Sequence, residues 1–167
     1  MSFWDYGRKP WKYLELIKNI EGYKLIFAGN WRIKSLREKI IRKIKEEKLE
    51  DKVELRENVS ESELNNLYDK SKFLIRFGFG EYGPSMLVIE SIQHTTPVII
   101  NDELGTADLV NNYKIGLVTK GLDFNSIKKF IEEVDEGKYK EMQDNIKKVQ
   151  KIYSWENHTK KLVESII

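Results

Sequence analysis

The apolar positions of this chain change period every few tens of residues, and those changes mark out its elements. Apolar residues at 3–7 predict a short strand, a Gly-Arg-Lys-Pro turn follows, and Trp11, Leu14 and Ile17, with Leu16 and Ile20 less regularly, predict a helix over 11–20. Residues 23–30 form a nearly continuous apolar run closed by Gly29 and Asn30, the pattern of a strand covered on both faces in a parallel sheet. Leu36, Ile40, Ile41 and Ile44 then recur at helical spacing within 33–49, with Lys, Arg and Glu between them as a solvated outer face. Residues 52–56 alternate as a strand does, and Ser60-Glu61-Ser62-Glu63 has the S-x-x-E form that starts a helix, continued by Leu64, Leu67 and Tyr68.

Further strands are expected at 73–76, 95–100 and 115–119, and further helices at 85–94, 108–111, 124–134, 139–152 and 155–167. Strand and helix alternate with short connections, which argues for an α/β fold with a doubly wound parallel sheet and right-handed crossovers. No internal repeat, low-complexity segment or linker interrupts the pattern, so 1–167 reads as a single domain. Sheets of this kind bind ligands beyond the C-terminal ends of their strands.

The stretch from Arg76 to Glu90 lies at such an end. It reads as strand end, glycine-rich turn and helix start: Gly78, Gly80 and Gly83 permit an abrupt reversal, and Pro84 presets a first helical turn without donating a hydrogen bond. A helix beginning near Ser85 offers its first N–H groups and its positive dipole end to an anion. Composition narrows the partner. The 29 Lys and Arg against 27 Asp and Glu give a net charge of +2, with no broad basic field for nucleic acid. No cysteine is present, and two isolated histidines cannot form a histidine-rich metal cage. No apolar run is long enough for a transmembrane segment, and no signal peptide precedes the first strand, so a soluble intracellular protein is expected.

Several ordered pieces carry a family resemblance: Gly7-Arg8 before the first helix, Leu25-Ile26-Phe27-Ala28-Gly29, residues 53–60 followed by Glu63-Leu64 and Leu67-Tyr68, and Glu81-Tyr82-Gly83-Pro84-Ser85 with Glu90-Ser91. Pro97-Val98-Ile99 with Gly105, Gly116-Leu117-Val118 and Tyr153-Ser154-Trp155-Glu156 complete the series. Together they resemble the C-terminal, donor-binding domain of the GT-B glycosyltransferases, specifically glycosyltransferase family 4 (glycosyl transferases group 1). The resemblance implies a Rossmann-like half of a GT-B fold. It also implies transfer of a hexose, with retention, from a nucleotide-diphosphate sugar to a glycan or lipid acceptor.

In that family a pair of glutamates marks the donor site. Here Glu81 and Glu90 have eight residues between them, one more than the family pair. The resemblance makes Glu81 an acceptor for the sugar hydroxyls near the anomeric centre and Glu90 an acceptor for the ribose hydroxyls. Gly83, Ser85 and Met86 map to the β-phosphate, Arg8 and Lys12 to charge neutralisation on the departing diphosphate, and Val59 to the nucleobase. Plainer readings stand beside these: an exposed loop carboxylate at Glu81, a polar helix face of Glu90, Gln93 and His94, a simple N-cap at Ser85, a surface basic cluster of Arg8, Lys9 and Lys12, and a hydrophobic staple at Val59. Lys9 is the rival to Lys12. His94 and His158 are expected to be structural or exposed and not catalytic, and Trp155 to be a packing anchor.

No Asp-x-Asp triplet occurs, so no metal or other cofactor is expected, with cations and a helix N-terminus on the diphosphate instead. The resemblance implies that the acceptor-binding domain is missing from these residues, that the chain alone transfers little or nothing, and that it is cytoplasmic, with any membrane association made through the missing domain. Other readings are a noncatalytic sugar-nucleotide-binding subunit or sensor, or an epimerase or phosphorylase of the same fold. A receiver-like signalling domain would need an acidic cluster at strand ends, which the sequence lacks.

Overall fold

The computed structural model describes residues 3–152, which form two compact units, 3–66 and 67–152 within the described range. In the first unit the order is β1 (Phe3–Trp4), a 3-10 turn (Tyr6–Arg8), α1 (Pro10–Ile17), β2 (Leu25–Ala28), β3 (Asn30–Trp31), α2 (Lys34–Glu46) and β4 (Val53–Arg56), with α3 (Glu61–Lys70) crossing the boundary. β3 pairs with β1 and β2 pairs with β4, all parallel. β2 and β3 are separated only by Gly29, so the chain passes directly from the pairing with β4 to the pairing with β1.

The expected strand at 3–7 shortens to two residues for a local reason. The Asp5 carboxylate accepts the Arg8 N–H at 3.1 Å and turns the chain into the 3-10 turn. Pro10 then opens α1 at its first position, where its missing N–H costs nothing. Trp4, Tyr13, Phe27 and Trp31 pack as an aromatic cluster, with Trp4 edge-on to Phe27 at 4.9 Å between centroids. Leu36, Ile40 and Ile44 bury one face of α2. The S-x-x-E signal at the start of α3 is a complete capping box: the Ser60 N–H and hydroxyl both donate to the Glu63 carboxylate, and the Glu63 N–H returns to the Ser60 hydroxyl. Those bonds hold the Glu63 pKa below the ordinary glutamate value.

The second unit continues with β5 (Leu74–Arg76), α4 (Met86–Gln93), β6 (Val98–Asn101), α5 (Ala107–Tyr113), β7 (Gly116–Thr119), α6 (Phe124–Glu133) and α7 (Glu136–Ile152). Its strands lie in the order β5-β6-β7 and are parallel throughout. Val88, Ile92, Val98, Ile100, Ile115 and Ile146 form the centre of its core. The strand expected from 95 begins only at Val98. Thr95 is left-handed at φ 59°, and the Thr96 N–H and hydroxyl are taken by the Ser91 and Tyr68 carbonyls, so 95–97 close α4 instead of extending β6. Asp135 accepts the Lys138 N–H and so starts α7 three residues ahead of the expected 139. The expected helix 155–167, with Trp155 and His158, lies outside the described residues.

Each unit therefore contains a β-α-β-α-β run with parallel strands, the repeating pattern of α/β folds. The close β6–β7 pairing requires a glycine at 116. A Cβ on Gly116 would lie 1.9 Å from the Val98 carbonyl oxygen, inside the β6–β7 ladder. Gly116→Ala is expected to destabilise the protein by about 1–3 kcal/mol, the usual cost of overpacking, read as a lower urea midpoint. An unchanged midpoint would contradict this packing.

Candidate functional site

β5 ends at Arg76, whose guanidinium is buried and donates to the Phe77 carbonyl and to the Glu81 carboxylate. The loop that follows is tied to the end of β6. Asn101, fully buried as the last residue of that strand, accepts the Gly78 N–H at 2.7 Å and donates to the Gly78 carbonyl at 3.0 Å. The Gly80 N–H donates to Glu103 at 2.7 Å, and the Gly105 N–H donates to the Gly83 carbonyl at 3.1 Å. The two loops approach so closely at Gly105 that a Cβ there would sit 2.2 Å from the Tyr82 carbonyl oxygen.

This double tie delivers the chain to α4. Ser85 is its N-cap in extended conformation, yet its buried side chain makes no capping bond. The first-turn N–H groups of α4 consequently have no side-chain cap and can serve an anion. Gly83, Pro84 and Met86 are exposed around them, as is Tyr82 at 76%. The Glu81 carboxylate lies on the same loop, 44% exposed and engaged by Arg76.

Glu90 stands four residues beyond Met86, about 6 Å further along the axis at 1.5 Å per residue. Its Oε2 accepts the Tyr68 hydroxyl at 2.9 Å. Burial, then the bond to Glu90 and its charge, push the Tyr68 phenol well above its ordinary range and keep it a donor. The Tyr68 ring stacks on His94 at 5.1 Å and 11°, and the His94 Nδ1 lies 2.8 Å from the Asp69 carboxylate. His94 thus has structural contacts, as expected.

The loop and α4 bring Glu81, Gly83, Ser85, Met86 and Glu90 into one continuous segment of the second unit. Arg8, Lys12 and Val59 belong to the first unit. Arg8 closes the 3-10 turn, and Lys12 pairs with Glu15 of its own helix at 2.7 Å. Val59 is 7% exposed, so its side chain is committed to packing and only its backbone is left for a ligand. Sequence reasoning missed Arg76, Tyr68, Asn101 and Glu103 as parts of the site. Asn101 had a legible signal, a polar residue closing the apolar run 97–100. Tyr68 had none, being 22 residues from its partner.

Among the described residues no group of three or more His, Cys, Asp or Glu side chains could hold a metal, and no helix is long and apolar enough to cross a membrane. A second feature of the unit is a cleft of about 210 Å³ lined by Lys114, Gly116, Phe130, Glu133, Lys138 and Met142.

Residues 90–166 match the family described as glucosyltransferase 3-like, C-terminal domain. No curated protein matches the chain. Among solved structures, HepE from Anabaena in complex with UDP-glucose superposes with a TM-score of 0.82 over 99% of this chain and 47% of its own, at 12% identity. The Rossmann-like half of a GT-B glycosyltransferase is therefore the fold. The C-terminal domain of LpcC, a glycosyl transferase group 1 family protein from Francisella tularensis, gives 0.76 at 10% identity, over 92% of this chain and 83% of that one. WaaG, a glycosyltransferase involved in lipopolysaccharide biosynthesis, gives 0.75 at 13% identity, over 90% of this chain and 41% of its own. The chain spans less than half the length of HepE and of WaaG.

In this Rossmann-like fold the loop tie joins the loop before α4 to the end of β6. Asn101→Ala leaves both backbone groups of Gly78 buried without their partner, and is expected to cost about 2–6 kcal/mol at roughly 1–3 kcal/mol per unsatisfied group. Urea unfolding reads that loss. Faster exchange of the Gly78 N–H should accompany it, and protection equal to wild type would contradict the tie.

Proposed function

We propose that the chain is the donor-binding half of a retaining glycosyltransferase, moving a hexose from a nucleotide-diphosphate sugar to a glycan or lipid acceptor held by a separate acceptor-binding domain. The observation that carries this reading is Glu90. A half-buried carboxylate stands just over one turn into α4, behind a glycine-rich loop that leaves the helix N-terminus without a side-chain cap. A diphosphate at that N-terminus and a ribose beside Glu90 fit one ligand in length. Support comes from the family match over 90–166 and from the fold shared with HepE, whose structure holds UDP-glucose.

In this reading the backbone around Gly83, Ser85 and Met86 receives the β-phosphate and Glu90 accepts from the ribose hydroxyls. Glu81 accepts from the donor sugar, and Val59 meets the base through its backbone. Arg8 and Lys12 stabilise the negative charge that builds on the nucleoside diphosphate as its bond to the sugar breaks. No metal takes part. The engagement of Glu81 by buried Arg76 favours a second reading, a noncatalytic sugar-nucleotide-binding subunit, because a carboxylate already held by a guanidinium is a weaker partner for a sugar.

Calorimetry with UDP-, GDP- and ADP-sugars tests the reading. One of them should bind, equally with and without EDTA, and Glu90→Ala should weaken it about ten-fold or more, the value of a sheltered charge-assisted bond. Arg8→Ala and Lys12→Ala should each weaken the nucleoside diphosphate more than the nucleoside. Absence of binding by every donor, or no loss on Glu90→Ala, sinks the proposal. Robust sugar transfer by this chain alone would overturn the assignment of the acceptor site to another domain.

A further inference from the structure

The Glu90 carboxylate is held from behind. Glu90 lies on α4 and His94 caps its C-terminal end four residues on, and Tyr68 contacts both, donating its hydroxyl to one at 2.9 Å and stacking its ring on the other at 5.1 Å. Tyr68 is itself immobilised. It is 7% exposed, the Thr96 hydroxyl donates to its carbonyl at 2.9 Å, and neighbouring Asp69 bonds the His94 ring at 2.8 Å. A glutamate side chain has several rotatable bonds, and this contact fills one acceptor site on Oε2, leaving Oε1 and the rest of the carboxylate's acceptor capacity for a ligand.

We propose that Tyr68 is a positioning residue that fixes the Glu90 carboxylate for the two hydroxyls of a ribose, and so sets the preference for ribonucleotides over deoxynucleotides. The inference rests on Glu90 being the ribose acceptor. Tyr68 touches no substrate; it acts through the carboxylate it holds. The phenol's bond to Oε2 restrains rotation of the carboxylate, so the ribose meets a prearranged acceptor. A purely structural tyrosine, one that only ties α3 to α4, would weaken all nucleotides alike.

The test measures dissociation constants of UDP and 2′,3′-dideoxy-UDP for the full chain, for Tyr68→Phe, for Glu90→Ala and for the double variant, with thermal melting as the fold check. The wild type is expected to prefer UDP. Tyr68→Phe should weaken UDP by about 3–10-fold, the usual value of one hydrogen bond, and leave dideoxy-UDP within about two-fold. On the Glu90→Ala background Tyr68→Phe should change nothing further, because the two residues act as one unit. If Tyr68→Phe keeps the wild-type preference while Glu90→Ala loses it, the positioning role falls and the ribose reading stands. If the wild type shows no preference, the ribose reading falls and this inference falls with it. A variant-free measurement covers failure of Tyr68→Phe to fold: in the wild type, the Tyr68 hydroxyl proton should be slowly exchanging and remain so when UDP binds. Its loss on UDP binding overturns the proposal.

Discussion

The buried amide of Asn101 holds this site together. A glycine-rich loop cannot define its own conformation, since its residues carry little side chain to pack and much backbone freedom to restrain. Asn101 solves that problem by satisfying both the N–H and the carbonyl of Gly78 from the last position of a neighbouring buried strand. Glu103 and Gly105 extend the tie along the next loop, and the missing side chain at Gly105 is what lets the two loops meet. The orientation of α4, and with it the direction of its N–H groups and of Glu90, follows from a strand end that is itself immovable in the core.

The helix so aimed carries two kinds of polar chemistry with different supports. In the proposed donor site its N-terminus acts through backbone groups, which need no rotamer to be fixed and only require that the cap be left open. Glu90, in the same proposal, acts through a flexible side chain, and the Tyr68 hydroxyl bonded to its carboxylate is the contact that restrains it. Glu81 differs again. It lies on the exposed part of the loop, and buried Arg76 restrains it from the strand below. The three supports, a strand-end amide, a buried phenol and a buried guanidinium, all belong to the second unit.

The sequence was most readable where one element's own pattern decides the outcome. Leu36, Ile40 and Ile44 placed α2, and Ser60 with Glu63 marked the start of α3 correctly down to the reciprocal bonds. It was least readable where a long-range contact redirects the backbone. The apolar and β-branched run at 95–100 reads as strand, yet Thr95 and Thr96 bond back into α4 and shorten β6. Within the site, glycine spacing identified the turn and Ser85 the helix start, because both are local. Tyr68 and Arg76 were invisible as site residues, since a tyrosine on a helix and an arginine at a strand end have many possible partners, and only the tertiary structure selects Glu90 and Glu81.

The central claim is that the α4 N-terminus and Glu90 receive a nucleotide sugar, and backbone amide NMR tests it most directly. Titration of the labelled chain with UDP-glucose should give its largest shifts at Gly83, Ser85, Met86, Leu87 and Glu90. Shifts confined to the cleft around Lys114, Phe130 and Lys138, or no shifts at saturating ligand, would contradict the account.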